Sequence, residues 1–222
     1  MKEVNQHKRV NDILLGPLER PALRWLAAHM PGWVTPDICT AIGFAGALAT
    51  MAGYVLSNYS PGFLWLASLG FIINWFGDSL DGTLARYRRI ERPMYGYFVD
   101  HAMDAVCQFV IILGMGLSPY ISYSIASLAL IAYLMLSIIV YLRTYIVGEF
   151  KISYGGLGPT ESRVVAILLN TMMYFLGLRY FMIGQYTFSI YDLVVLAIAL
   201  VLFGFFLNTA VREARRLAAL GE

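Results

Sequence analysis

The run GFLWLASLGFIINWFGDSLDGTL, residues 62–84, decides how this chain is read. It is apolar and long enough to cross a bilayer as a helix, which takes roughly 20 residues. Its last third nevertheless carries two carboxylates, Asp78 and Asp81, and it runs directly into the basic segment ARYRRIER, residues 85–92. An ionised acid in a spanning helix costs about 2.5–3.5 kcal/mol on insertion scales, so two in one helix need a reason.

The surrounding sequence has the same apolar character. Of 222 residues, 59% are hydrophobic and 14% charged, and mean hydropathy is +0.66. Ordinary soluble domains carry about 25% charged residues. This much apolar surface must face lipid, and no polar stretch is long enough to build a separate soluble domain. Six stretches are expected to span as helices: about 37–57, 62–84, 96–117, 120–142, 164–184 and 189–210. Turn residues separate them at Ser57–Gly62 and at Ser118-Pro119, and Gly155, Gly156, Gly158 and Pro159 make the widest break. The expected fold is an all-α integral membrane bundle of six helices, one domain over residues 1–222.

Residues 12–30 mix Ile13, Leu14, Leu15, Leu18, Leu23, Trp25 and Leu26 with Asp12, Glu19, Arg20 and Arg24. That pattern predicts an amphipathic helix in the membrane interface, broken or restarted at Pro21. Residues 1–11 are polar and lack an apolar h-region, so no cleavable signal peptide is expected. Of the 16 basic residues, only Arg179 lies near the side opposite the rest. The positive-inside tendency then puts both termini in the cytoplasm. Cys39 and Cys107 fall in apolar segments without metal-type spacing and read as packing residues.

Two further acids, Asp100 and Asp104, open the third span at i, i+4, while Asp78 and Asp81 stand at i, i+3 near the end of the second. Each pair shares a helix face. The short basic loop between these spans makes them antiparallel neighbours and brings the pairs together at the cytoplasmic surface. Four such charges repel unless some are protonated or cations sit among them. Arg86 offsets one charge, not four. Hard divalent ions such as Mg²⁺ or Mn²⁺ favour oxygen ligands of this kind. A site for two of them fits phosphoryl displacement, where metals hold the attacking and leaving oxygens. Gly82 and Gly96 lie beside the acids and are expected to let a ligand or a neighbouring backbone approach. Gly43, Gly46, Ala47 and Gly53 are expected to pack helices.

Written out, Asp78-Ser-Leu-Asp81-Gly82-Thr-Leu-Ala85-Arg86, nine residues, then Gly96-Tyr-Phe-Val-Asp100-His-Ala-Met-Asp104 resembles the signature of the CDP-alcohol phosphotransferase family. That signature reads D-x-x-D-G-x-x-A-R, a gap of eight or nine, then G-x-x-x-D-x-x-x-D. Every specified position matches. The resemblance implies metal binding by Asp78, Asp81 and Asp100, with Asp104 a metal ligand or the base that takes the proton of the attacking hydroxyl. Gly82, Ala85 and Arg86 would line the CDP site with Asp78, Arg86 on the phosphates. Thr35-Pro36-Asp37-Ile-Cys-Thr40 is similar to the family's T-P-N-x-x-T, which adds Thr40 and Asp37 to the CDP-side candidates. Asp37 stands where the family carries Asn. The implied reaction is attack of an alcohol hydroxyl on the donor's phosphorus, CMP leaving, in phospholipid biosynthesis. One of donor and acceptor is a lipid, and the implied assembly is a homodimer among membrane lipids, with no nucleic acid partner.

The acceptor is less legible. Members of that family using glycerol phosphate tend to carry Lys after the fourth aspartate and those using inositol phosphate Arg; here it is Ala105. Asp100-His101 is similar to the Asp-His of choline and ethanolamine phosphotransferases. Arg143 and Arg163 are candidate ligands for an anionic acceptor or lipid phosphate, or else arginines snorkelling to the interface. Glu161 would pair with one of them or start a helix behind Thr160. Two other readings fit the sequence less well. An intramembrane prenyltransferase would need more helices and widely separated acid clusters. A cation transporter would more often show inverted repeats and broken helices.

Overall fold

The computed structural model describes residues 8–10, 14–147, 149–151 and 158–220. The stretch around Gly155 and Gly156, and the first two residues of the expected interfacial helix, lie outside them. Seven α-helices account for most of the described chain, with two short two-stranded ladders: β1 (Lys8–Val10) parallel to β2 (Glu149–Lys151), and an antiparallel hairpin described below.

Helix α1 (Gly16–His29) runs through Pro21 rather than breaking there. Pro21 removes only the hydrogen bond to the Pro17 carbonyl. Both residues are exposed, so solvent can satisfy that carbonyl. Helix α2 (Pro36–Leu56) starts where its sequence directs: Thr35 Oγ1 accepts the Ile38 N–H at 3.2 Å and Pro36 occupies the first turn. After Ser57 to Ser60 and a single 3-10 turn, Pro61–Phe63, the chain enters α3 (Leu64–Arg88). Alpha-carbon-only positions make the α2–α3 contact close. A Cβ on Gly46 or Gly53 would run into the α3 backbone at Asn74 or Ala67.

Helix α3 stops in a tight closure. Arg89 adopts left-handed backbone angles (φ 56°, ψ 39°), the Ile90 N–H returns to the Ala85 carbonyl at 3.0 Å, and the Arg89 N–H to that of Arg86 at 3.2 Å. This turn leads the chain into α4 (Pro93–Gly116), which packs on α2 and on the helix that follows it and not along α3, the neighbour that the short loop predicts; only the facing ends of α3 and α4 come together. Arg88 reinforces the corner by donating to the carbonyls of Met30, Pro31 and Val34, which anchors the α1–α2 connection.

Helix α5 (Tyr123–Val147) packs on α4 and on α7 (Ile190–Ala219), while α6 (Pro159–Leu176) packs on α3. Among the described residues, five helical segments are long and apolar enough to cross a membrane: Pro36–Leu56, Pro61–Arg88, Pro93–Gly116, Tyr123–Ile146 and Ile190–Ala219. The chain is an integral membrane protein on that basis. Helix α6 is the departure from the expected six. Its polar first turn, Thr160 to Arg163, and Asn170 dilute its apolar content, and it ends at Leu176 instead of 184. Gly177, at φ 64°, ends the helix, and β3 (Tyr180–Ile183) then pairs with β4 (Tyr186–Ser189). Gly184, at φ 62°, supplies the first central position of the two-residue hairpin turn. The apolar content of this segment reads as helix, but its aromatic and β-branched residues flanking a Gly-Gln turn favour strands.

Between the helices, Tyr54, Leu64, Phe71, Ile111, Met173 and Tyr191 form the main core, with Tyr54 OH donating to Asn170 Oδ1 at 2.8 Å. A second cluster, including Leu23, Ala27, Cys39, Leu80 and Leu84, lies under α1. Both cysteines are buried and unbridged, as their apolar context predicts.

Candidate active site

The end of α3 and the start of α4 project their acids toward each other. Carboxylate oxygens of Asp78, Asp100 and Asp104 lie within 4.8 Å of one another. Asp81 stands slightly apart. Thr40 Oγ1 donates to its Oδ2 at 2.7 Å and the Gly82 N–H to its Oδ1 at 2.5 Å. All four acids line one small cavity together with Thr40, Asn74 and Cys107. The convergence expected from the sequence is therefore three acids in contact range and a fourth held beside them by α2. A donor set of hard carboxylate oxygens at this separation, half-buried, fits a divalent cation of the magnesium type.

One cation is built into the cluster. Arg163, on the first turn of α6, donates from Nη2 to Asp78 Oδ2 at 2.7 Å and from Nε to Asn74 Oδ1 at 2.9 Å. Asn74 in turn donates to the Gly43 carbonyl at 2.9 Å. Arg163 thus offsets an acid of the cluster, a role the sequence suggests only for Arg86. The importance of Asn74 was visible only as its i, i+4 spacing from Asp78, which puts both on one face of α3.

The cavity opens into a cleft of about 990 Å³ that is lined by α1, the first turns of α2 and α6, α3, α4 and the turn between α3 and α4. Gly82, Ala85 and Arg86 are on its wall, as are Thr40, Asp37 and Arg163. Arg86 lies over Gly82: a Cβ added there would come within 3.2 Å of Nη1. Asp37, across the mouth, is paired with Arg92, whose Nη2 lies 2.5 and 2.7 Å from its two oxygens. That hydrogen bond holds the Arg92 guanidinium above its usual range of protonation. Gly96 has nothing within 4 Å of an added Cβ, so it makes no close backbone contact among the described residues.

Two candidates lie elsewhere. Arg143 is not in the cleft. Its Nε sits 2.9 Å from Glu213 Oε1 and joins α5 to α7. Glu161 pairs with neither arginine. Its Oε2 accepts the Gly158 N–H at 2.9 Å as a helix-start carboxylate, and its Oε1 accepts the Leu15 N–H at 2.7 Å. His101 packs rather than projecting freely: its ring stacks on Tyr97 at 4.0 Å between centroids and lies 5.0 Å from Tyr141. Glu19 lines the cleft and was missed as a site residue, because its place in an amphipathic helix gave no signal beyond surface polarity.

Comparison with known proteins agrees with this geometry. The family model for CDP-alcohol phosphatidyltransferase matches residues 33–204. The chain is 31% identical to archaetidylinositol phosphate synthase of Methanothermobacter thermautotrophicus over 146 residues, 66% of this chain and 70% of that protein. It is 24% identical to cholinephosphotransferase 1 of Danio rerio over 196 residues, 81% of this chain and 49% of that one. Against phosphatidylinositol phosphate synthase of Cutibacterium acnes it is 34% identical over 92 residues, 41% and 40% of the respective lengths. The chain thus spans about half or less of the latter two. With the aspartate signature, the apolar helices and a match over most of its length in agreement, the chain belongs to the CDP-alcohol phosphatidyltransferase family, membrane transferases of substituted phosphate groups.

Proposed function

We propose that this protein transfers a phospho-alcohol group from a CDP-alcohol to an alcohol acceptor and releases CMP, one of the two substrates being a lipid. The observation that carries the reading is the contact of Asp78, Asp100 and Asp104 at the floor of a cleft whose wall holds Gly82, Ala85 and Arg86. Asp78, Asp81, Asp100 and Asp104 would hold two divalent ions, Mg²⁺ or Mn²⁺. Such ions neutralise a diphosphate and stabilise the departing charge of CMP. Arg86 presents a planar fork to the donor's phosphate oxygens, and Gly82 beneath it leaves room for them. Thr40 orients Asp81 from α2. Asp104 accepts the proton of the attacking hydroxyl, and Arg163 holds Asp78 in place at 2.7 Å.

Orientation follows from charge. Arg86, Arg88, Arg89, Arg92, Arg212, Arg215 and Arg216 put the cleft and both termini on the cytoplasmic side. Helix α6 serves as the sixth span. Helix α1 lies in the interface, with Leu18 and Trp25 exposed toward lipid while Leu23 and Ala27 pack inward.

The test is purified protein incubated with CDP-diacylglycerol, CDP-choline or CDP-ethanolamine against a panel of alcohols, among them inositol phosphate, glycerol phosphate and diacylglycerol. CMP release is followed with Mg²⁺, with Mn²⁺ and with chelator. Acceptor-dependent CMP release from at least one donor, abolished by chelation and restored by metal, is expected. No CMP from any pairing defeats the assignment, and turnover in chelator defeats the metal role. The pair that turns over names the substrates.

A further inference from the structure

Glu19 has no part in the reaction as proposed, yet three side chains bond it at the edge of the cleft. Its Oε1 accepts three hydrogen bonds: from Trp75 Nε1 at 2.8 Å, Ser79 Oγ at 3.1 Å and Thr160 Oγ1 at 3.0 Å. Two donors belong to α3 and one to α6. Three side-chain donors converging on one oxygen match a full negative charge.

The placement of those donors is informative. Trp75 follows Asn74 and Ser79 follows Asp78, while Thr160 stands one helical turn before Arg163. Arg163 donates to both Asn74 and Asp78, and this node borders the cleft as Glu19, Ser79 and Thr160 do. Adjacent residues on a helix project about 100° apart. The Glu19 node and the Arg163 node therefore grip the α3–α6 junction from two sides. A second tie, Leu15 N–H to Glu161 Oε1 at 2.7 Å, fixes the start of α1 to the same turn of α6.

We propose that Glu19 is a positioning residue: it clamps α1 and the first turn of α6 onto α3, and so holds the Arg163 guanidinium on Asp78. It acts through Arg163 and Asp78 rather than on substrate. The inference rests on Asp78 belonging to the metal-holding cluster, as proposed above.

The experiment uses the full chain in nanodiscs as wild type, Glu19→Ala, Glu19→Gln, Arg163→Gln and the combined Glu19→Ala/Arg163→Gln. Three readouts are taken: steady-state CMP release, Mn²⁺ affinity by electron paramagnetic resonance, and amide hydrogen exchange. Glu19→Ala should lower kcat/KM by about 10- to 100-fold, the scale of a small misplacement at a reacting centre. Glu19→Gln keeps the accepting oxygen and should stay within about threefold of wild type. Exchange should rise in residues 16–29 and 159–163 of Glu19→Ala while α5 and α7 stay protected. Groups acting as one unit are not additive, so the combined variant should be no worse than Arg163→Gln alone. If Arg163→Gln does not turn over, Mn²⁺ affinity gives the same comparison.

Full activity in Glu19→Ala, effects that multiply with Arg163→Gln, or exchange rising throughout the chain would each overturn the proposal. Exchange and Mn²⁺ affinity need no turnover. If no donor yields CMP but the exchange and Mn²⁺ patterns appear as expected, the reaction assignment fails and the clamp stands.

Discussion

Acids are buried at both ends of this helical bundle, and the two ends treat them oppositely. Asp192, near the start of α7, is 1% exposed. Its oxygens accept Ser122 N–H and Oγ–H at 2.7 Å each and Ser189 N–H at 2.8 Å, while its own N–H donates to Ser189 Oγ at 3.0 Å. Ser189 Oγ continues the chain of bonds to the Tyr120 carbonyl. Backbone and hydroxyl dipoles satisfy that carboxylate, and it ties the α4–α5 turn to the head of α7. At the other end carboxylate oxygens of Asp78, Asp100 and Asp104 crowd within 4.8 Å of one another, with Arg163 bonded to Asp78. His101 Nδ1 lies 3.6 Å from Asp100. A carboxylate answered by neutral donors holds helices together. A group of carboxylates crowded on one another invites cations, and that crowding distinguishes a site from a fastening.

The comparison breaks most visibly at Asp104. Asp104→Asn preserves shape and removes one charge and one proton acceptor. Turnover should fall about a thousandfold or more if this residue is ligand or base. The thermal midpoint in detergent should hold or rise, because the change relieves repulsion among acids. CMP release and a melting curve on the same preparation check both halves. Retained activity would move Asp104 to the class of Asp192.

Asp192→Ala should do the reverse. It leaves the Ser122 and Ser189 N–H groups without their acceptor, which costs about 3 kcal/mol. Stability measured by denaturant titration in detergent should drop by that order, while CMP release per folded molecule stays within about twofold of wild type, because the site lies at the far end of the bundle. A selective loss of turnover at unchanged stability would erase the distinction between the two ends.

How much of this was readable beforehand differs along the chain. The spans from residue 37 to 142 were legible because apolar runs and turn residues coincide, and the acid cluster because charge inside a span is costly. The region after Gly158 was not. A segment that is apolar throughout does not separate strand from helix by periodicity alone, so the first strand of the hairpin, Tyr180–Ile183, reads as the end of the fifth span, and most of the second, Tyr186–Ser189, as the link to the sixth. Side-chain roles that depend on who stands opposite were also hidden. Arg88 reads as an orienting charge and turns out to hold the carbonyls of Met30, Pro31, Gly32 and Val34 in the α1–α2 corner. Arg143 and Arg163 read alike as arginines at the inner ends of spans, yet one meets Glu213 on α7 and the other meets Asp78. Only the packing of α5 on α7 and α6 on α3 separates them.

Smaller changes probe the cleft wall, where the fork of Arg86 lies over Gly82. Arg86→Lys keeps the charge and loses the planar pair of donors, so donor KM should rise by about tenfold with a lesser change in kcat. Gly82→Ala tests the same contact more finely. The new methyl would lie 3.2 Å from Arg86 Nη1, close enough to displace the guanidinium slightly, but the neighbour is the tip of a flexible side chain and can give. About a threefold rise in donor KM is expected, of the order of 0.6 kcal/mol. If that rise comes from displacing the guanidinium, Gly82→Ala should cost nothing further in the Arg86→Lys background. A full additional penalty there would mean that the glycine makes room for the donor itself, and that the two residues meet the phosphates independently.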